Sequence, residues 1–215
     1  MKLINNLNTI DSIKIAEAII GGLTTTSKMP SLSLSLPAKE CNKGSKLRKI
    51  EGSVCFNCYA MKGCYSWKPV QKAQYKRLEA LKHPQWVDAM VYLINNKKRV
   101  IESGVFRWHD SGDIQSLEHF ENILKVVRAT PHIKHWIPTK ESQLIKTYKG
   151  SIPDNLIIRL SGSMVNGKAP KYANTSVVTT NPDIATCRAF ENAGSCGDCR
   201  KCWDKDIKNI TYYIH

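Results

Sequence analysis

The sequence has no apolar run that approaches the length of a transmembrane helix. Its first residues, Met1-Lys-Leu-Ile-Asn-Asn-Leu-Asn8, interrupt their apolar positions with asparagine and supply no hydrophobic core of a secretory signal. Membrane and secreted classes are therefore not expected, and a cytoplasmic setting is. Acidic residues are few: 18 Asp and Glu stand against 32 Lys and Arg, a formal charge of +14. That balance points to an anionic partner, nucleic acid first. The blander reading is a scatter of solvated lysines, part of whose excess would be cancelled by thiolates on a metal. A disulfide-scaffold spacing is also missing. The 8 cysteines fall in two sets of four near opposite ends of the chain, and in a reducing compartment clustered thiols bind metal more often than they pair. The 215 residues, 42% hydrophobic and 23% charged, suit a globular domain that folds without cysteine staples.

The late set, Cys187-x8-Cys196-x2-Cys199-x2-Cys202, is the strongest local signal. Successive x2 loops turn several thiols and backbone N–H groups toward one compact polynuclear centre, which favours an iron–sulfur cluster. Zinc is the alternative, although its structural sites usually take two separate C-x2-C knuckles. Four thiolates would leave such a cluster no open iron, so its expected work is support or electron transfer, with Trp203 as a shield. The early set reads Cys41-x13-Cys55-x2-Cys58-x5-Cys64 around a basic Lys43 to Lys49 loop. If Cys41, Cys55 and Cys58 alone hold a cluster, one iron stays free for a ligand, so whether Cys64 joins them decides what this site can do.

Between the two sets the pattern is α/β. Residues 9–22 suit a helix ended by Gly21-Gly22. Leu32-Ser-Leu34-Ser-Leu36 alternates as a strand with one buried face, closed by Pro37. Two helical pieces follow over 69–96, with Pro69 and Pro84 in their first turns. Then Val105 to Trp108, Ile133 to Pro138, Leu156 to Leu160 and Val177 to Thr179 read as strands. Helical periods at Leu117 to Val127 and Leu144 to Tyr148 separate the first three of these. Such alternation predicts βαβ units and a parallel sheet, with residues 1–182 forming a partial barrel and 183–215 a small cysteine-rich lobe. Polar groups stand at the predicted strand ends: His109, Asp110, Ser111 and Asp113; Thr139 and Lys140; Arg159, Ser161 and Ser163. Ligands bind at this edge of parallel sheets. Each group also has an ordinary role open to it, Asp113 and Ser116 as helix caps and His109 as a packed histidine.

The runs Cys55-Phe-Asn-Cys58-Tyr59-Ala60, Arg107-Trp-His-Asp110-Ser-Gly112-Asp113, Thr139-Lys140 and Cys196-Gly-Asp-Cys199-Arg-Lys-Cys202-Trp203 resemble a bacteriophage family called gene product 88-like. The match is scattered from about residue 30 onward. The resemblance implies a metal-binding phage protein acting in the host cytoplasm. It also implies a three-thiolate early site with Cys64 as a spare thiol. The layout is similar to radical S-adenosylmethionine enzymes as well, which implies an incomplete parallel (β/α) barrel. It further implies one or two [4Fe-4S] clusters and S-adenosylmethionine or another ligand among Asp110, Ser111, Asp113, Thr139, Lys140 and Ser161. The usual C-x3-C-x2-C signature and a Gly-Gly-Glu-type motif are absent. Two readings of function stand side by side: an iron–sulfur protein, radical or redox, served by an electron donor, and a basic zinc protein that binds nucleic acid without catalysis.

Overall fold

The structure is a computed structural model that describes residues 9–214; the reading of Met1 to Asn8 lies outside the described residues. Its centre is a six-stranded sheet made of β1 (Ser33–Leu34), β2 (Val105–Trp108), β3 (Lys134–Thr139), β4 (Leu156–Val165), β5 (Thr175–Thr179) and β6 (Asn209–Tyr213). The strands lie in chain order, and every neighbouring pair is parallel. The sheet is thus singly wound, without the order reversal that creates a switch point in doubly wound sheets. β1 and β6 are its two edges. The α-helices are α1 (Ile13–Ile20), α2 (Asn42–Leu47), α3 (Lys68–Ala80), α4 (Trp86–Asn96), α5 (Lys98–Ser103), α6 (Leu117–Ala129) and α7 (Ser142–Thr147).

Alternation along β2 divides the two faces. Phe106 and Trp108 join Ile137, Ile158 and Leu160 against the apolar sides of α1, α4 and α6, which forms the main core. Val105 on the other face packs with Trp136 and Trp203, and Met29, Cys202 and Tyr212 lie against them. The C-terminal cysteine segment covers this second face. It is tied there by Arg159, whose guanidinium donates to the carbonyls of Lys201, Cys202, Asp204 and Ile207 at 2.7–3.1 Å. Trp203 Nε1 also donates to Phe106 O at 2.9 Å.

Several expectations shift in detail. Ser12 caps the N-terminus of α1 and Gly21, at φ 81°, ends it as read. The strand expected over Leu32 to Leu36 shortens to Ser33–Leu34, and the whole run is buried on both sides rather than one. Its serines satisfy themselves inside: Ser33 donates to Asp110, and Ser35 Oγ meets Thr24 and Arg77 at 2.7 Å. Pro69 lies in the first turn of α3, but Pro84 falls in the turn ahead of α4. β4 runs five residues past Leu160, because Val54 N and Val165 N exchange hydrogen bonds with Ser163 O and Gly52 O, both at 2.9 Å. The basic Lys43 to Lys49 loop is largely α2. The residues 183–215 add a strand to the main sheet, β6, which the reading above did not anticipate.

Candidate functional site

At the C-terminal edge of the strands, residues 109–113 fold back over the continuation of β1. Leu36 N donates to Ser111 O and Ser111 Oγ to Leu36 O, each at 2.9 Å. Gly112 makes this approach possible: its φ is 82°, and a Cβ there would lie 2.6 Å from Leu36 Cβ. Asp113, pushed up to about 6 chiefly by burial, accepts from Thr139 Oγ1 at 2.6 Å, Lys140 N at 2.8 Å and Ile114 N at 2.8 Å. It therefore joins the ends of β2 and β3, while Ser116 caps α6. Lys140 Nζ reaches on to Gly162 O at 2.9 Å. Asp110 accepts from Ser33 Oγ and, at 3.0 Å, from Tyr65 OH, while its carbonyl accepts from Tyr59 OH. Ser161 meets Ser176 at 3.1 Å across β4 and β5. Asp110, Ser111, Asp113, Thr139, Lys140 and Ser161, the groups expected to line a ligand, thus each also have an internal partner.

The early cysteines gather over this edge. Cys41 directly precedes α2, and a Cβ on Gly44 would lie 2.9 Å from Cys41 Cβ, 3.6 Å from Cys41 Sγ and 3.7 Å from Cys55 Sγ. The missing side chain at Gly44 leaves the space between the two sulfurs open. Burial pushes the Cys41 thiol up, and Asp113, Cys58 and Cys55 push it further. Burial also raises Cys55, where Lys140 opposes the shift and Cys58 and Asp113 add to it. Each thiolate thus resists its neighbours, a condition that a bound cation relieves. Cys64 is exposed, whereas Cys41, Cys55 and Cys58 are half-buried.

The late cysteines form a second group. Cys187 lies beside Tyr212 at the free edge of β6, with its N–H on Thr211 O at 3.0 Å. Cys196 N donates to Lys28 O at 2.9 Å, in the segment that leads into β1. This loop therefore runs from one edge of the sheet toward the other. Burial raises Cys196, with Cys187 and Cys199 adding to the shift. Cys202 is pushed up to about 11, first by burial, while the Tyr212 hydroxyl 3.2 Å away works against the rise. The cysteines that shift Cys196 and Cys202 most belong to the late set, Cys187 and Cys199 for the first and Cys187 for the second.

Sequence reasoning gave Arg107, Tyr59 and Tyr65 no part in a site. Arg107 lies between the two cysteine sets, its Cζ 4.7 Å above the Trp136 ring and Nη1 3.0 Å from Met29 Sδ. Burial works to lower its pKa, but Tyr59, Asp110, Tyr212 and Cys202 outweigh that and hold the guanidinium charged. The signal was available: an arginine at an inward position of β2, and tyrosines placed just after Cys58 and Cys64. His109 is buried at φ 57° with both ring nitrogens unpartnered, its ring 5.4 Å from that of His119. It packs against the rings of Trp108 and His119.

All eight cysteines are free, and among the described residues no three His, Cys, Asp or Glu side chains form a group that could hold a metal ion. No helix among the described residues is long and apolar enough to cross a membrane. Fold and site together define a mixed α/β protein with a singly wound parallel sheet and two separate cysteine sets, one over the strand ends and one along the edge. The chain belongs to the family described as gene product 88, whose profile matches residues 5–205. Comparisons with curated proteins and with solved structures return no match.

Proposed function

We propose that this is a phage iron–sulfur protein with two centres, built on an incomplete barrel of radical S-adenosylmethionine type. Cys41, Cys55 and Cys58 would hold the first cluster, and Cys187, Cys196, Cys199 and Cys202 the second. The observation that carries the reading is the opening at Gly44, flanked by the sulfurs of Cys41 and Cys55; Cys64 is exposed. The donor chemistry supports it: burial and neighbouring acidic groups disfavour ionisation of the Cys41 and Cys55 thiols, which Lys140 and Arg48 offset only in part, and a bound cation would favour both thiolates. A cubane spreads its thiolates over several irons and asks for a wider arrangement than one zinc ion does.

A cluster with three protein thiolates supplies an iron that can bind S-adenosylmethionine or another exogenous ligand and pass it an electron. The chain's own groups act around it. Asp113 and Thr139 hold the β2 and β3 loops in register, and Lys140 stands beside Cys55 as a positive charge. Tyr59 and Tyr65 fasten the cysteine loop to Asp110. Arg107 gives a fixed positive charge between the centres, suited to a second centre that receives electrons from an external donor.

The test is anaerobic reduction of the protein with S-adenosylmethionine, followed by assay for 5′-deoxyadenosine and by electron paramagnetic resonance. Cleavage, or a change of the cluster signal when the ligand is added, supports an open iron. A fully loaded protein that gives neither result removes the radical reading, and a colourless protein that holds zinc without sulfide removes the iron–sulfur one.

A further inference from the structure

The positive charge of this protein is concentrated around the first cysteine site. Residues 39–77 carry ten Lys and Arg against two Glu, more than half of the chain's net excess. Eight of the ten are lysines, all exposed, and none is in a salt bridge among the described residues. Lys39 and Lys46 flank Cys41 in one shallow depression. Lys68, Lys72 and Lys76 recur at four-residue spacing and form one exposed stripe along α3.

The opposite side of α3 fixes that stripe to the site. Gln74 Nε2 donates to Ser111 Oγ at 3.3 Å, and Arg77 Nη1 donates to Ser35 Oγ at 2.7 Å. Aromatic rings interleave with the charge: Phe56 is 46% exposed and Trp67 64% exposed. A cleft of ≈ 200 Å³ opens between Lys39, Tyr65, Gln71 and Tyr75. An exposed ring on a basic rim offers a face on which an unstacked base can lie while the cations beside it meet the backbone phosphates.

We propose that this rim is a docking surface for single-stranded nucleic acid, which it leads to the mouth at Cys41. Phosphates neutralise the unpaired lysines, and unstacked bases cover Phe56 and Trp67. Duplex DNA meets only the first of these needs, because its bases are already stacked. An acidic protein segment supplies charge without the flat ring on every repeat that a nucleic-acid strand carries. The docking surface stands apart from the metal reading, since none of its groups is a cysteine.

Fluorescence tests this directly on the full chain. Trp67 is the exposed one of five tryptophans; Trp86, Trp108, Trp136 and Trp203 are all buried. A labelled oligothymidylate should bind, with an affinity that falls steeply with salt, and should quench the Trp67 component. The triple variant Lys68→Glu, Lys72→Glu, Lys76→Glu should flatten the log–log salt slope by about 2. Trp67→Ala should weaken binding by at least about five-fold. The exposed control set Lys125→Glu, Lys134→Glu, Lys146→Glu should leave both quantities nearly unchanged. The proposal is overturned if the control set loses binding as much as the rim set, or if duplex of equal length binds as tightly without quenching. It is also overturned if polyglutamate of equal charge competes as well as the oligonucleotide, which would assign the surface to an acidic protein.

Discussion

A Cβ at Gly44 would stand 2.9 Å from the Cβ of Cys41, closer than real Cβ contacts come. The first site is thus open because residue 44 has no side chain. Gly44→Ala must push Cys41 away from Cys55, so it should lose most of the metal of the first centre and leave the second intact. Iron and sulfide per chain, with cluster spectra, measure this. Full loading of Gly44→Ala would mean that the two sulfurs do not share a ligand.

Arg159 should be the strongest single support of the late cysteine segment. Its four carbonyl acceptors lie in a loop with little other regular structure. Arg159→Leu leaves those carbonyls without their charged donor and should cost roughly 3 kcal/mol, on the scale of hydrogen bonds to charged groups. Urea unfolding gives the magnitude, and proteolysis near residue 200 reports whether the loss is local. An unchanged unfolding midpoint would show that the loop holds itself.

Acid should unfold the metal-free protein earlier than its carboxylates alone require. Burial holds His119 and His135 down to about 3, and His109 well below its usual value. The unfolded chain binds these protons as pH falls through about 6.5, whereas the folded chain refuses them until about 3. Stability is therefore lost across that window, by roughly 2 to 3 kcal/mol for each of His119 and His135 at pH 4.5. Asp113, pushed up to about 6, works in the opposite direction between about 4 and 6, one group against three. His119→Gln should move the acid midpoint downward in a circular-dichroism titration. An unmoved midpoint would contradict the account.

Much of this arrangement was legible in the residues. Apolar runs bounded by turns marked β2, β3 and β4, and parallel pairing followed from the helical periods between them, so the shared edge of Cys41, Asp113 and Lys140 could be anticipated. Other features depended on partners distant in the chain. Ser33 and Ser35 look solvent-facing in an alternating strand, yet they turn inward to Asp110 and Arg77. Arg159 reads as a ligand group at a strand end but caps a loop more than forty residues later. β6 follows a cysteine segment, where a five-residue β-prone run, Asn209 to Tyr213, was easily read as part of a lobe. Asp113 looks like a helix cap because its partners, Thr139 and Lys140, stand at the end of the next strand, far along the chain.

Cys64 separates a three-thiolate site from a four-thiolate one. It is exposed, whereas Cys41, Cys55 and Cys58 are half-buried. Cys64→Ser should retain both centres and any ligand response of the first, while Cys58→Ser should lose the first centre. Loss of iron in Cys64→Ser would make it a ligand and close the open position.

The central claim is that two separate iron–sulfur centres form, one on each cysteine set. Iron and acid-labile sulfide, counted on anaerobically prepared wild type, Cys41→Ala and Cys199→Ala, test it most directly. Two [4Fe-4S] clusters give about eight of each in the wild type, with about four remaining in either variant. Zinc without sulfide in the wild type, or both centres lost together in each variant, would contradict it.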